Sequence, residues 1–189
     1  MSGSRFLRPQ LVARRPRSES ERAERFRQTI LPHLDAAYAL ARYLTRDPTA
    51  AEDIVQDAFL RAFRGFETWR GEAPRAWLLA IVRNCFLTYA AARPSGEVAF
   101  EDLADRPDPD APDPEAVAGQ NQAAAMLRET IEQLPEPFRE ALVLREFAEL
   151  SYKEIALTVG APIGTVMSRL SRARQMLIEL LPVEARSRS

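Results

Sequence analysis

The sequence is short of the residues that staple or metallate a small protein. Its 189 residues include one cysteine, Cys85, and one histidine, His33. That excludes a disulfide framework and any cysteine-based zinc site. Lysine is almost missing: of 26 basic residues only Lys153 is lysine. No stretch approaches the roughly 20 apolar residues that span a bilayer, and the N-terminus carries no apolar signal-peptide core. The expected location is the cytoplasm. There is no Gly-rich phosphate loop, no Cys/His nucleophile pair and no metal-ligand cluster. No catalytic residue, cofactor or metal is therefore expected, and an enzyme is the least favoured class. Long β-branched alternations are absent too, while Ala, Leu, Arg, Glu and Gln are plentiful. The composition predicts an all-α chain. A formal net charge of −1 rules out a polycation, so nucleic-acid binding would have to come from local charge patterning.

What is present falls into two small helical modules. Residues 1–21 contain Arg5, Arg8, Arg14, Arg15 and Arg17 with Pro9 and Pro16, and read as a basic, disordered arm. The first module is expected over 22–92. Phe26, Ile30, Leu34, Ala37, Ala41 and Leu44 recur at spacings of three and four. They predict one buried helical stripe, kinked or divided at Pro32. His33 lies beside the stripe without a partner motif and reads as a structural or surface residue. Asp47-Pro48 ends this helix. Thr49 to Glu52 has the form of a capping box and predicts the next start. The inner face there is Ala51, Val55, Ala58, Phe59 and Ala62. The outer face is Asp53, Asp57, Leu60 and Arg64, flanked by Gln56 and Arg61. A solvated face with a stray leucine is the plain reading. A docking site for a basic, partly apolar helix is the functional one.

Residues 65–74 read as a loop that displays Phe66, Trp69 and Arg70, with Pro74 in the first turn of a helix that runs to about Ala92. That helix is expected to bury Leu78, Ile81, Val82, Cys85 and Tyr89. Its outer face carries Ala76, Leu79, Arg83, Leu87 and Ala90, with Asn84 at the edge, and its leucines mark a contact surface. Residues 93–115 are dominated by proline and acid and read as an extended linker, with Val98, Phe100 and Leu103 as its few anchors. A second helical module is expected over 116–182, followed by a tail at 183–189. Val117, Ala124, Leu127, Ile131 and Leu134 predict one helix, ended by Pro135. A second helix opens at Pro137, with Phe138, Ala141, Leu142, Leu144 and Phe147 apolar.

The last stretch is the most explicit. Ser151 to Glu154 forms a capping box. Gly160 stands where a left-handed helix cap belongs, and Pro162 fits the first turn of the next helix. In that final helix Val166, Leu170, Ala173 and Leu177 share one side and are expected to pack on Ile155 and Phe147. Thr165, Met167, Ser168, Arg169, Ser171, Arg172 and Arg174 lie on the remaining faces. No acid occurs between Pro162 and Ile178. Arginine can grip guanine bidentately in the major groove, and Ser or Thr can reach bases or phosphates. The pattern predicts a helix-turn-helix.

Three stretches, DPTAAEDIVQDAFLRAFRGF, RAWLLAIVRNCF and LPEPFREALVLREFAELSYKEIALTVGAPIGTVMSRLSRAR, resemble bacterial RNA polymerase sigma factors. The likeness is to the sigma-70 family and its extracytoplasmic-function (ECF) group. The resemblance implies a first module that binds the clamp helices of the polymerase large subunit and opens the −10 element. It implies a second module that binds the −35 element and the polymerase flap, and an anti-sigma factor as inhibitor. On this likeness Asp53, Gln56, Asp57, Leu60 and Arg64 dock polymerase. Phe66, Trp69, Arg70, Arg75, Arg83 and Asn84 handle the −10 element, where an unstacked base needs an aromatic pocket and nearby cations. Trp69 and Trp77 fit a core role equally well. Ser168 and Arg172 match base-reading positions. Two departures stand out: Thr88 to Arg93 lacks the family's basic cluster, and Met167 replaces a frequent arginine. A conventional helix-turn-helix regulator, acting without polymerase, is the alternative.

Overall fold

The computed structural model describes residues 19–92 and 124–181. The basic arm, the acidic linker with its anchors, the stretch holding Val117 and the tail lie outside the described residues. Within them there is helix and turn but no strand. The elements are α1 (Glu19–Ile30), a 3-10 turn (Leu31–His33), α2 (Leu34–Thr45), α3 (Pro48–Gly65) and α4 (Pro74–Ala92). They continue with α5 (residues 124–132), α6 (Glu136–Glu146), α7 (Tyr152–Val159) and α8 (Ile163–Leu180).

Pro32 divides the first helical stretch rather than kinking it, because proline gives its 3-10 turn no backbone donor. The break resets the helical phase. Leu34, expected in the buried stripe, ends up 40% exposed, while Ala37, Leu40, Ala41 and Leu44 are buried. The start of α3 also differs from expectation. Asp47, not Thr49, is its cap: Oδ1 accepts from the backbone N–H of Thr49 (2.9 Å) and Ala50 (3.3 Å), and Pro48 occupies the first turn. Thr49 to Glu52 therefore lies inside the helix. In the second module Glu136 opens α6, one residue before Pro137. Pro162 is the residue before α8, with an extended ψ of 147°. The capping box at α7 is formed in full. Ser151 N–H and Oγ donate to Glu154 Oε2 at 2.8 and 2.6 Å, and Glu154 N–H donates back to Ser151 Oγ at 3.3 Å. These bonds hold the Glu154 carboxyl below its ordinary pKa, the Ser151 side chain contributing most. Gly160 takes φ +67°, the left-handed cap that glycine alone adopts without strain.

α2, α3 and α4 pack on one another, and α6, α7 and α8 form the second group. The groups are not separate. α4 packs on α7 and α2 on α6, and their buried residues form one continuous core. The first half of the outer face of α4 is covered as a result: Leu79 has no exposure and Ala76 has 7%, whereas Leu87 is 39% exposed. Phe147 does not sit under α8 as expected. It is 41% exposed and meets Tyr43 of α2 with ring centroids 5.0 Å apart. Arg139 is buried, and its Nη1 donates to the last carbonyls around α5, Glu132 O (3.1 Å) and Leu134 O (2.7 Å). Burial lowers its pKa to about 10; the two hydrogen bonds it donates compensate part of that desolvation.

Candidate nucleic-acid interface

The acidic face of α3 stands as the sequence places it. Asp53, Gln56, Arg61 and Arg64 are exposed, and Leu60 is 52% exposed among them. Asp57 pairs with Arg61 one turn away at 2.8 Å, so the patch is partly neutralised. Beside it runs a groove with Leu34, Tyr38, Val55 and Phe59 as apolar floor and Asp35, Glu52 and Gln56 as rim. Leu34 and Tyr38 were absent from the sequence-based candidates. The signal that identifies them is Pro32, since the break there turns the start of α2 outward.

The loop after α3 is built around an aromatic stack. The backbone N–H groups of Thr68 and Trp69 both donate to Gly65 O, at 3.1 and 3.2 Å, and Trp69 Nε1–H donates to Glu72 O at 3.0 Å. Trp69 is held between Phe66 (centroids 5.8 Å) and Trp77 (5.2 Å), both nearly parallel to it. Phe66 is only 2% exposed. It cannot display its ring to a base as expected; it is the floor beneath Trp69. Trp69 and Trp77 are half-buried, so they join the core while keeping an accessible edge. A cavity of about 360 Å³ opens beside them, lined by Arg61, Gly65, Thr68, Trp69, Trp77, Ile81 and Asn84. Arg70 is exposed at the loop tip. The arrangement offers an apolar face with polar groups at its rim, which suits a planar heterocycle.

In α8 the buried side is Val166, Leu170 and Ala173. Ser168 and Ser171 are exposed, Thr165 is half-exposed and Met167 is 53% exposed. Ser168 Oγ donates to Thr165 O at 2.9 Å, leaving its lone pairs outward. Arg172 is exposed and makes no ion pair among the described residues. Arg174 is tied to Glu146 at 2.8 Å, and Arg169 is half-exposed on the side facing the charge of Glu140. Of the three arginines, Arg172 alone projects freely from the face.

Arg75 and Arg83, expected to touch DNA, are occupied by the second module. Arg75 Nη1 donates to Ala148 O (2.8 Å) and Glu149 Oε2 (3.1 Å). Arg83 Nε donates to Glu140 Oε1 at 2.7 Å. Burial pushes the Glu140 carboxyl up, and Arg83 opposes that shift. A third bridge, Arg42 to Glu132 at 3.0 Å, crosses the same seam. His33 lies near Arg75; burial and then that charge hold its pKa below the ordinary value, and its Nδ1 is buried without a partner. Asn84 remains exposed. Among the described residues no cluster could hold a metal ion, and no helix is long and apolar enough to cross a membrane.

An all-helical pair of modules, one with an acid-rimmed apolar groove and an aromatic loop and one with a helix-turn-helix, defines a class of DNA-reading protein that also docks a partner. Comparison with known proteins specifies the class. Residues 29–93 match the family described as sigma-70 region 2, and residues 124–177 match sigma-70, region 4. An ECF RNA polymerase sigma factor SigE of Mycolicibacterium smegmatis is 35% identical over 157 residues, covering 82% of this chain and 60% of that protein. The RNA polymerase sigma-H factor of Pseudomonas aeruginosa is 35% identical over 91% of this chain and 92% of its own length. The ECF RNA polymerase sigma-E factor of Escherichia coli strain K12 is 33% identical over 66% of this chain and 70% of its own. The chain belongs to the sigma-70 family of RNA polymerase sigma factors, in its ECF group. Among solved structures, the sigma factor RpoE of Bartonella quintana, in complex with the anti-sigma factor NepR, is similar with a TM-score of 0.70 and 31% identity. That likeness covers 85% of this chain and 99% of the other. CnrH in complex with the cytosolic domain of CnrY is similar with a TM-score of 0.60 and 25% identity, over 84% and 88%.

Proposed function

We propose that this chain is a dissociable promoter-specificity subunit of bacterial RNA polymerase, acting in the cytoplasm, where that polymerase works. It performs no covalent chemistry; it contributes binding energy for promoter recognition and strand opening. The observation that carries the reading is the sandwiched Trp69 beside a polar-rimmed cavity, at the C-terminal end of the helix that carries the acidic face and its exposed Leu60. In this reading Asp53, Gln56, Asp57, Leu60 and Arg64 dock the clamp helices of the large subunit, and the neighbouring Leu34–Tyr38 groove extends that surface. Trp69, Arg70 and Asn84 receive the unstacked −10 base, with Arg75 and Arg83 on the adjoining strand. Thr165, Met167, Ser168, Arg169, Ser171, Arg172 and Arg174 face the −35 duplex, while the flap holds the second module.

The seam adds a condition. Arg75 and Arg83 reach DNA only when Glu149, Ala148 and Glu140 release them. The modules therefore part before both promoter elements are read. The complexes of RpoE with NepR and of CnrH with CnrY support an anti-sigma partner for this chain as well. The test is in vitro transcription with core polymerase on promoters enriched by selection, beside gel shifts with and without core. Core-dependent initiation is expected, with weak binding to free DNA. Tight operator binding without core, and no initiation with it, would reject the reading.

A further inference from the structure

Helix α1 lies mostly ahead of the segment that matches region 2, which begins at residue 29, and the interface described above leaves it without a role. Its side chains nevertheless converge on the aromatic loop. Arg22 Nη2 donates to Phe63 O, with Arg64 O at 3.5 Å, and its guanidinium lies 4.5 Å from the centroid of the Phe63 ring. Those carbonyls belong to the last turn of α3. A cation from a neighbouring helix thus caps the negative end of α3. Arg25 lies over the Phe66 ring at 5.2 Å and pairs with Glu67 at 3.5 Å. Phe26 meets Phe66 and Phe63 edge to face at 5.3 and 5.2 Å. Phe66 stacks on Trp69, and Trp69 on Trp77. A chain of ring contacts therefore runs from α1 to the indole that borders the cavity.

An aromatic face that receives an extruded base works best when its plane is set beforehand, since orientation lost on binding must be restored in the transition state. Within the loop the indole is tied at its edge by the Nε1–H bond to Glu72 O, and the ring is supported from below by Phe66. Phe66 in turn is fixed by α1.

We propose that Arg25 and Phe26 are positioning residues for promoter opening: they hold Phe66, and through it the plane of Trp69, in place to receive an unstacked −10 base. The proposal rests on the sigma-factor reading of the loop and assigns a role to a helix that reading does not use. Neither residue touches DNA in this role. Arg25 acts through a planar guanidinium over a ring, which lysine cannot reproduce. Phe26 acts through edge contacts, which leucine replaces in volume only.

Both tryptophans of the chain, Trp69 and Trp77, lie in the stack, so intrinsic tryptophan emission reports this place alone. The experiment compares the full chain with Arg25→Ala, Arg25→Lys and Phe26→Leu. It reads core-polymerase affinity, quenching of tryptophan emission by a single-stranded −10 oligonucleotide from a selected promoter, and permanganate reactivity of the −10 strand in the holoenzyme complex. Arg25→Ala is expected to bind core as the parent does, to show altered quenching, and to open the promoter about fivefold more slowly. Arg25→Lys recovers only part, and Phe26→Leu moves in the same direction. Unchanged quenching and opening in Arg25→Ala overturn the proposal. So does a loss of core affinity in step with opening, because α1 is then only a structural support. If the parent chain itself opens no promoter with core, the sigma-factor reading falls. The emission comparison then keeps the two failures apart: an altered spectrum in Arg25→Ala shows that Arg25 sets the Trp69 stack while its promoter role falls with that reading, and an unchanged one rejects the positioning as well.

Discussion

The bridge between Arg83 and Glu140 is where the seam is most exposed to perturbation. Its Nε to Oε1 distance is 2.7 Å, with the Glu140 side chain 5% and the Arg83 side chain 21% exposed. The two ends are therefore not equivalent. Arg83→Gln leaves a carboxylate buried without its cation, which costs about 3 kcal/mol. Uptake of a proton by Glu140, already favoured by burial, sets that as an upper figure. Glu140→Gln leaves the cation at the edge of the seam, where it turns to water, and costs about 1 kcal/mol. At about 1.4 kcal/mol per tenfold, the closed-to-open ratio falls about a hundredfold in the first variant and about fivefold in the second. The double variant is expected to be less open than Arg83→Gln alone. A distance measurement between labels at Thr49→Cys and Lys153→Cys, both exposed positions, reads the ratio; the native Cys85 is buried and does not compete for label. Function separates the variants further. Both loosen the seam, yet Glu140→Gln frees Arg83 for DNA and should raise affinity for single-stranded −10 DNA, whereas Arg83→Gln should not. Equal opening by the two single variants, or strictly additive effects in the double variant, would refute the reasoning.

Three further outcomes are expected. Leu60→Asp should weaken core-polymerase binding by at least tenfold with no change in melting temperature, because Leu60 is 52% exposed and buries little within the chain; normal affinity in a pull-down titration would remove α3 from the docking surface. Arg172→Ala should lower discrimination at one −35 position by about 1–3 kcal/mol, measured by selection on randomised −35 duplexes, and leave −10 opening unchanged. The stability of the fold should also respond to pH through His33. Its folded-state pKa is lowered by burial and then by Arg75, so the folded, closed chain holds it neutral. Stability from this source is complete above its ordinary value near pH 6.5 and declines as pH falls through the window down to its lowered value. His33→Gln should flatten that part of the urea-midpoint profile, and an unchanged slope in the variant would show that His33 is not the titrating group.

Much of the architecture was legible without coordinates. Helix capping is local, so the Ser151–Glu154 box, Gly160 and the start of α4 at Pro74 came directly from short spacings. The failures were local as well. Asp47 outcompeted Thr49 as a cap because Pro48 already supplied the first turn of α3. Leu34 turned outward because a proline break restarts the helical phase. The exposed face of α3 was legible because amphipathic spacing assigns solvent sides reliably when one module covers the other side. The same logic failed on α4, whose inner side packs in its own module while the first half of its outer side is buried by the other. It could recognise a contact surface there but not its occupant.

The sequence by itself determined the helical class, the two modules, the helix-turn-helix and the acid-leucine face. Each depends on periodicity and capping within a few turns. Only the tertiary structure decided that Phe66 is floor rather than display, that Arg75 and Arg83 are held by carbonyl and carboxylate groups of the other module, and that α1 reaches the aromatic loop after α3. The bonds of Arg22 to Phe63, Arg83 to Glu140 and Arg75 to Ala148 span 41, 57 and 73 positions. No local spacing encodes them, because burial and charge pairing across a seam are set by how finished helices meet.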